Sequence, residues 1–274
     1  MKTALFVLII MVINVWAAFE LSTSNAFSGG ILGNFTTGQD FFSSYLTNPA
    51  SSSYTKDFHL GINYCRPYNL PGLNVAGIFS LIPLKTVGAG VSMVTLGNSL
   101  YQEYKITGNV SRTFFHRALS VGLNWNWYQI NVRNYNSSHS FGMDAGILCK
   151  IIPQLVTGFS IQNISQARLN GYLDEIPLVT SLGFVFQPAQ DFSTYLSVSK
   201  DAGYPAALQI GLNFIANSSL SIQSAFSSYP AVPSIGFRFN HQWISINYMF
   251  QYHFELGGTH FWGVSFSKKG LENE

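Results

Sequence analysis

Charged residues are scarce in this chain. Asp, Glu, Lys and Arg together make up 9% of its 274 residues, whereas soluble domains carry about 25%. This composition argues against an ordinary soluble enzyme, because too few charges are left to cover a folded surface. The formal net charge is only +2, so we expect no nucleic-acid partner.

Cysteine and metal-ligand patterns are also sparse. Cys65 and Cys149 form neither a disulfide framework nor a zinc spacing, and we expect free thiols. The 6 histidines show no paired-ligand spacing and no catalytic constellation stands out, so we expect no enzyme, no cofactor and no metal site. His253 and His260 flank one loop, where a structural role in capping the hairpin is the expected one.

Long hydrophobic runs are absent except at the start. A basic n-region, an apolar run over residues 4–13 and small residues after it predict a secretory signal peptide over residues 1–17, cut between Ala17 and Ala18. The alternative is a membrane anchor, but Asn14 interrupts a stretch that is already shorter than the roughly 20 residues of a spanning helix.

Instead, apolar and polar residues alternate from Asp57 onward. Segments 119–127, 208–214 and 244–251 place large apolar residues on one face and Ser, Asn, Gln or Gly on the other. This period of two is typical of strands. The outward face of a soluble sandwich would carry Lys and Glu. The pattern therefore predicts an all-β fold, a transmembrane antiparallel β-barrel with a lipid-facing outside and a polar inside. A soluble up-and-down barrel is the alternative.

Fourteen strand candidates fill the predicted barrel, residues 57–267, and a short polar tail follows over residues 268–274. Tight and loose connections alternate between them, which is typical of outer-membrane barrels, and charges such as Arg66 and Glu103 fall in the loose set. The candidates are 57–65, 73–82, 86–96, 104–115, 118–132, 140–151, 155–163, 177–187, 191–200, 206–215, 219–227, 233–239, 243–252 and 259–267.

Aromatic residues near the strand ends are candidates for girdles at the lipid–water boundary, although aromatics favour strands in any case. They are Trp125, Trp127, Tyr128, Tyr135, Tyr172, Tyr195, Tyr204, Tyr229, Trp243, Tyr252 and Trp262.

Residues 18–56 break the alternation and are too apolar for a solvated tail. We interpret them as a hatch inside the barrel, with Phe41, Phe42 and Tyr45 as its apolar contacts. A floppy periplasmic extension is the alternative.

Three charges lie on the polar face of their strands, and we expect them to point into the lumen because a cation facing lipid costs about 2–4 kcal/mol. They are Asp144, Lys150 and Arg238.

Two motifs support a resemblance to a known family. Asn48-Pro49-Ala50 resembles the NPA signature of FadL-like outer-membrane proteins, and the stretch 252–260 resembles the last hairpin of the PorV/PorQ group within them. The resemblance implies a barrel of 14 strands with an N-terminal hatch in the outer membrane of a Gram-negative bacterium. The hairpin residues that carry it are Glu255, Gly257, Thr259 and His260.

The resemblance implies two functional hypotheses. The PorV/PorQ likeness implies protein export or surface attachment linked to type IX secretion, with secretion components or cargo sorting domains as partners. The wider FadL likeness implies passive transport of hydrophobic small molecules, with the hatch gating a lateral exit through the wall. Outer-membrane lipid is a partner in both hypotheses.

Overall fold

The chain folds into a closed β-barrel of 14 strands. The structure is a computed structural model that describes residues 19, 25–26, 42–135, 137–169 and 176–269. The predicted signal peptide lies outside the described residues. The strands are β1 (Asp57–Arg66), β2 (Asn74–Leu84), β3 (Val87–Gly97), β4 (Tyr101–Phe114), β5 (Leu119–Val132), β6 (Ser138–Ile152), β7 (Leu155–Gln162), β8 (Val179–Ala189), β9 (Phe192–Asp201), β10 (Ala207–Ile215), β11 (Leu220–Ser228), β12 (Ala231–His241), β13 (Ile244–His253) and β14 (Gly257–Lys269).

Three short 3₁₀ helices complete the described secondary structure: η1 (Phe42–Leu46), η2 (Pro49–Tyr54) and η3 (Pro67–Asn69). Within the part of the chain that is described, no helix is both long and apolar enough to cross a bilayer.

Each strand pairs antiparallel with its neighbours in the chain, and β1 pairs with β14 to close the barrel. The predicted fold and its strand count are thus confirmed. The closing pair runs from Asp57 opposite Lys269 to Arg66 opposite His260. The boundary expected after residue 267 needs correction, because Lys268 and Lys269 still belong to β14. Backbone pairing with the start of β1 extends the strand into the polar tail.

The two faces of the wall differ as the alternation predicts. Outward side chains are large and apolar, and Ile62, Ile78 and Val91 are all more than half exposed. Inward side chains are small or polar, such as Thr107, Asn126 and Ser197, and all three are buried. An exposed apolar band around a polar interior is the arrangement of a barrel whose solvent is lipid.

The two ends of the barrel have different connections. One end holds both barrel termini and the short turns 85–86, 115–118, 153–154, 190–191, 216–219 and 242–243, and the other holds the connections 67–73, 98–100, 133–137, 163–178, 202–206, 229–230 and 254–256. Short turns face the periplasm in outer-membrane barrels, so we call the ends the periplasmic turn end and the extracellular loop end.

Several connections at the loop end, which we expected to be long, are short. The strands extend further than the alternation predicted, so Arg66 ends β1 and Glu103 lies within β4. Only the connections 67–73 and 163–178 are distinctly long. The asymmetry between the two ends is therefore smaller than expected.

Two aromatic pairs lie on the outer wall. Trp243 stacks on Phe266 at 5.5 Å near the turn end, and Tyr248 contacts Trp262 at 4.6 Å in the middle of β13 and β14. Tyr128 and Tyr195, which were candidates for the girdles, are instead buried. Both belong to the inward set of their strands, so they pack in the lumen.

The lipid-facing assignment of the exterior predicts that substitutions there depend on depth. Val91, in the middle of β3, is 56% exposed, and Leu84, at the turn end of β2, is 57% exposed. Val91→Arg should lower the free energy of unfolding by about 2–4 kcal/mol and Leu84→Arg by at most about 1 kcal/mol, because a charge at the end reaches the headgroups. Urea unfolding in lipid bilayers measures both, and equal losses would contradict a lipid-facing exterior.

Candidate functional site

The NPA motif lies in the segment 42–54, which packs against the inner side of the barrel wall and which we call the hatch. Asn48 caps η2, since its Oδ1 accepts a hydrogen bond from Ala50 N at 3.0 Å and Pro49 occupies the first turn. Asn at the cap followed by Pro is a favourable helix start. The amide of Asn48 also donates to Ile147 O at 3.2 Å on β6. The motif thus holds the hatch turn and joins it to the barrel.

Inward side chains of the wall bind the carbonyl groups of the hatch. Asn109 donates to Pro49 O at 2.9 Å, and Ser120 donates to Ala50 O at 2.7 Å. The amide of Asn124 donates to Tyr45 O at 2.9 Å. A buried carbonyl without a partner costs free energy. The polar face of β4 and β5 therefore provides the hydrogen bonds that allow an irregular segment to lie inside the barrel.

Arg117 is a hatch contact that the sequence reasoning missed. It lies in the turn between β4 and β5, and its Nη2 donates to Ser53 O at 2.8 Å and Tyr54 O at 3.2 Å. The Tyr54 hydroxyl donates in return to Arg117 O at 3.2 Å. A single arginine in a tight turn carries no local signal of this role, because its partners lie about sixty residues away in the chain.

Glycines on the inward face provide room for the hatch backbone. A Cβ at Gly146 would lie 2.1 Å from Asn48 Oδ1, and one at Gly122 would lie 2.3 Å from Pro49 O. A Cβ at Gly88 would lie 2.3 Å from the Ser52 carbonyl. Neither the wall nor the hatch accommodates a side chain at these positions without moving.

On its other side the hatch contacts an apolar region of the lumen. We call this region the lumen cluster. Tyr45 and Leu46 belong to it, and burial raises the pKa of the Tyr45 phenol, which keeps the ring neutral. Phe41 and the side chain of Phe42, the other expected hatch contacts, lie outside the described part of the chain. The cluster comprises Ala26, Tyr45, Leu46, Cys65, Val75, Phe79, Leu81, Val94, Met249 and Phe261.

A pocket opens above the lumen cluster at the loop end, and we call it the mouth pocket. Its volume is about 50 Å³, below the roughly 300–1,000 Å³ of pockets that enclose a whole ligand, so it accommodates only part of a solute. Cys65 and Phe261 belong to both the mouth pocket and the lumen cluster, so the two are continuous. The pocket is lined by Cys65, Pro67, Tyr68, Val232, Gln251, His253, Thr259 and Phe261.

The last hairpin forms one side of the mouth pocket. Thr259 Oγ1 accepts a hydrogen bond from Tyr68 N at 2.8 Å, which holds η3 over the lumen. His253 Nδ1 accepts from the backbone N–H of Glu255 and of Leu256, both at 3.2 Å, so His253 caps the turn as expected. Gly257 follows with φ +95°, a conformation that favours glycine.

The two histidines of this hairpin lie on opposite faces of the wall. His253 lines the lumen, whereas His260 is exposed on the outside, with Nδ1 2.8 Å from the Tyr248 hydroxyl. Among the described residues, no group of His, Cys, Asp and Glu is arranged to hold a metal ion. Cys65 and Cys149 are free thiols.

The three expected lumen charges lie far apart in the barrel. Asp144 is buried and accepts from Asn124 Nδ2 at 3.1 Å and from Asn163 N at 2.9 Å. Arg238 is half-buried on the inward side of β12 and donates to Asn247 Oδ1 at 3.0 Å. Lys150 has the inward parity but is exposed at the turn end, where β6 bulges.

Two further lumen charges were missed. Glu103 is buried and accepts from Phe19 N at 2.9 Å, and Lys105 is buried with its Nζ 5.5 Å from the centre of the Tyr128 ring. Both lie on the inward face of β4. Lys105 falls within the expected strand 104–115, where period-two parity already places it inward. Parity identifies Glu103 as well once β4 begins at Tyr101.

The wall has a seam at the loop end between β6 and β8. The pairing of β6 with β7 begins only at Ala145 opposite Ile161. Beyond that point the loop after β7 replaces the strand: Ile164 N donates to Met143 O at 2.8 Å, and Met143 N donates to Ser165 Oγ at 3.0 Å. The wall at this seam therefore consists partly of a loop.

The fold of the chain is similar to that of known outer-membrane channels. The CymD monoaromatic hydrocarbon channel is 11% identical at a TM-score of 0.74, covering 94% of this chain and 100% of that one. The Ralstonia pickettii toluene transporter TbuX is 10% identical at 0.67, covering 92% and 100%. A Pseudomonas aeruginosa FadL homologue is 13% identical at 0.62, covering 89% and 96%.

This chain has the fold of FadL-like outer-membrane channels. No family model matches the sequence, and no curated protein matches it. At these identities the likeness shows the fold alone, and that fold is the outer-membrane β-barrel that the sequence predicted.

The close contact between the wall and the hatch predicts that one methyl group added to the wall displaces the hatch. Gly122→Ala would place a Cβ against Pro49 O, whereas a Cβ at Gly108, on the outward face of the neighbouring strand β4, would have no atom within 4 Å and provides the control. In liposome-swelling assays with arabinose, we expect Gly122→Ala to raise permeability several-fold and Gly108→Ala to leave it unchanged. Equal permeability of both variants and the original protein would contradict a tightly seated hatch.

Proposed function

We propose that this protein is a passive channel for hydrophobic small molecules across the outer membrane. The observation that carries the proposal is the continuity of the mouth pocket with the lumen cluster through Cys65 and Phe261. An apolar solute gains free energy wherever it leaves water for such a surface. The fold shared with hydrocarbon channels supports the same proposal.

The path begins at the loop end and leads inward along β1, β2, β13 and β14. A solute in the mouth pocket contacts Phe261 and then reaches Phe79 and Met249 of the lumen cluster. The path ends at Tyr45 and Leu46 of the hatch. Buried polar groups such as Gln209, Asn213 and Gln223 lie elsewhere in the lumen, on β10 and β11. The lumen cluster therefore offers an apolar solute an apolar surface between the mouth pocket and the hatch.

Release from the path requires an exit, and we propose the seam between β6 and β8. Leu46 O and Thr47 O accept hydrogen bonds from Gln162 Nε2 at 3.3 and 3.5 Å, so the end of the apolar path contacts the last residue of β7. Movement of the hatch turn would be transmitted directly to the strand that borders the seam. A lateral exit delivers an apolar solute into lipid without a passage through water.

The proposal predicts that a charge in the mouth pocket slows uptake. Val232 is half-buried at the loop end of β12 and lines the pocket. Val232→Asp should reduce uptake of oleate and toluene about tenfold, because a carboxylate beside the path disfavours an apolar solute by about 1.4 kcal/mol or more. Uptake is measured with labelled probes in cells that lack their own hydrophobic channels.

Two controls keep this experiment specific. Val232→Ala preserves the apolar character and should retain most of the uptake. Leu46→Asp, at the hatch end of the lumen cluster, should reduce uptake as Val232→Asp does, whereas arabinose permeability should not fall in any variant. Unchanged oleate and toluene uptake in both Asp variants would refute the channel.

If the solute leaves through the seam, a cross-link across the seam should block its release. In a chain with Cys65→Ala and Cys149→Ala, cysteines at Met143 and Ser165 can be joined by a short bis-maleimide across a contact of 3.0 Å. The matched control joins Leu208 and Ser228, where Leu208 N donates to Ser228 Oγ at 2.9 Å at the same end of the barrel. We expect oleate uptake to stop only with the first cross-link. Equal uptake with both would place the exit elsewhere.

Protein export linked to type IX secretion stays a prediction of the PorV/PorQ resemblance. Most connections at the loop end are short, as at 98–100, 229–230 and 254–256, and offer little surface for a protein partner. Recovery of secretion components or cargo sorting domains with the detergent-solubilised protein would support this role.

A further inference from the structure

Several polar groups lie close together on the exterior near the loop end of β1, where β14 and β13 follow as neighbours. Five outward side chains form a patch that we call the basic-aromatic patch: Tyr64, Arg66, Tyr248, His260 and Trp262. The barrel register aligns them, because His260 lies opposite Arg66 and Trp262 lies opposite both Tyr64 and Tyr248. The patch thus has a basic row near the loops and an aromatic row one step deeper.

The basic row is arranged to bind an anion. Arg66 is exposed, and the one described hydrogen-bond partner of its guanidinium is Asn74 Oδ1 at 3.4 Å. When the Tyr248 hydroxyl donates to Nδ1 of His260 at 2.8 Å, Nε2 carries the ring proton and remains a donor. Arginine binds phosphate in a bidentate manner. The row therefore offers the positive charge of Arg66 and the ring N–H of His260 at the loop end of β1.

The aromatic row lies on the hydrocarbon side of these donors. Trp262 is 55% exposed and its ring contacts that of Tyr248 at 4.6 Å. The Tyr64 hydroxyl donates to Asn74 Oδ1 at 2.9 Å, which ties the aromatic row to the basic one. Aromatic rings at this depth pack against sugars and the first carbons of acyl chains.

We propose that the basic-aromatic patch binds a phosphorylated glycolipid of the outer leaflet, with its phosphate at Arg66 and His260 and its sugar and acyl chains on Trp262 and Tyr64. Charge complementarity selects the phosphate, and the position of the patch at the loop end selects the outer leaflet. The site lies outside the lumen and does not depend on the proposed transport.

Native mass spectrometry of the detergent-solubilised full chain tests the site. The protein is titrated with bisphosphorylated lipid A, with dephosphorylated lipid A and with phosphatidylglycerol. We expect adducts mainly with the bisphosphorylated form and a reduction of about fivefold when the charge of Arg66 is lost, the change that about 1 kcal/mol per charge produces. Loss of the ring donor of His260 should reduce binding by a smaller factor. The variants are Arg66→Gln and His260→Gln.

The control variant is Lys200→Gln. Lys200 is an exposed outward cation near the loop end of β9, and its ammonium already contacts the Tyr204 carbonyl. This variant should bind lipid A as the original protein does, and Arg66→Lys, which keeps the charge, should retain more binding than Arg66→Gln. Heat-modifiable gel mobility verifies that each variant is folded.

Equal lipid A binding by the double variant Arg66→Gln, His260→Gln and the original protein would overturn the proposal. Equal binding of dephosphorylated lipid A would also overturn it, because the phosphate would then contribute nothing. Equal binding of phosphatidylglycerol would show a general anionic surface instead of a glycolipid site.

Discussion

Every backbone N–H and C=O of a strand in hydrocarbon needs a partner within the protein, and this constraint determines the architecture. An open sheet would leave two edges unpaired, so β1 and β14 must meet. They do so along ten residue pairs, from Asp57 with Lys269 to Arg66 with His260. Closure in turn gives each strand one face toward lipid and one toward an enclosed lumen. The alternation of apolar and polar residues in the sequence follows from that requirement.

The same constraint governs what fills the lumen. A hatch without regular strands brings unpaired carbonyls into the barrel, and Asn109, Asn124 and Ser120 satisfy them. Because the donors to these carbonyls are polar side chains, the part of the wall that carries them is polar. The apolar lumen cluster packs on Tyr45 and Leu46 of the same segment. The hatch is therefore held both by polar side chains of the wall that bind its carbonyls and by apolar contacts of its own side chains.

The sequence predicts features that are local and misses those assembled from distant strands. Fourteen strands were predictable because a period of two is visible within ten residues. The lumen positions of Tyr128 and Tyr195 were predictable from parity but were obscured by the preference of aromatics for girdles. The mouth pocket draws on β1, β12, β13 and β14, and no stretch of sequence shows that these strands converge. Only closure of the barrel brings them together.

At the loop end, residues that are neighbours in the chain face different environments. Cys65 lines the mouth pocket and Arg66 faces the lipid, and Thr259 and His260 divide in the same way on β14. A slip of one residue between β1 and β14 would exchange the two faces. Arg66 would then lie in the lumen, and Cys65 would meet the headgroups. The register of the closing strand pair therefore fixes the apolar entrance and the lipid-facing patch together, and neither surface can change its alignment independently of the other.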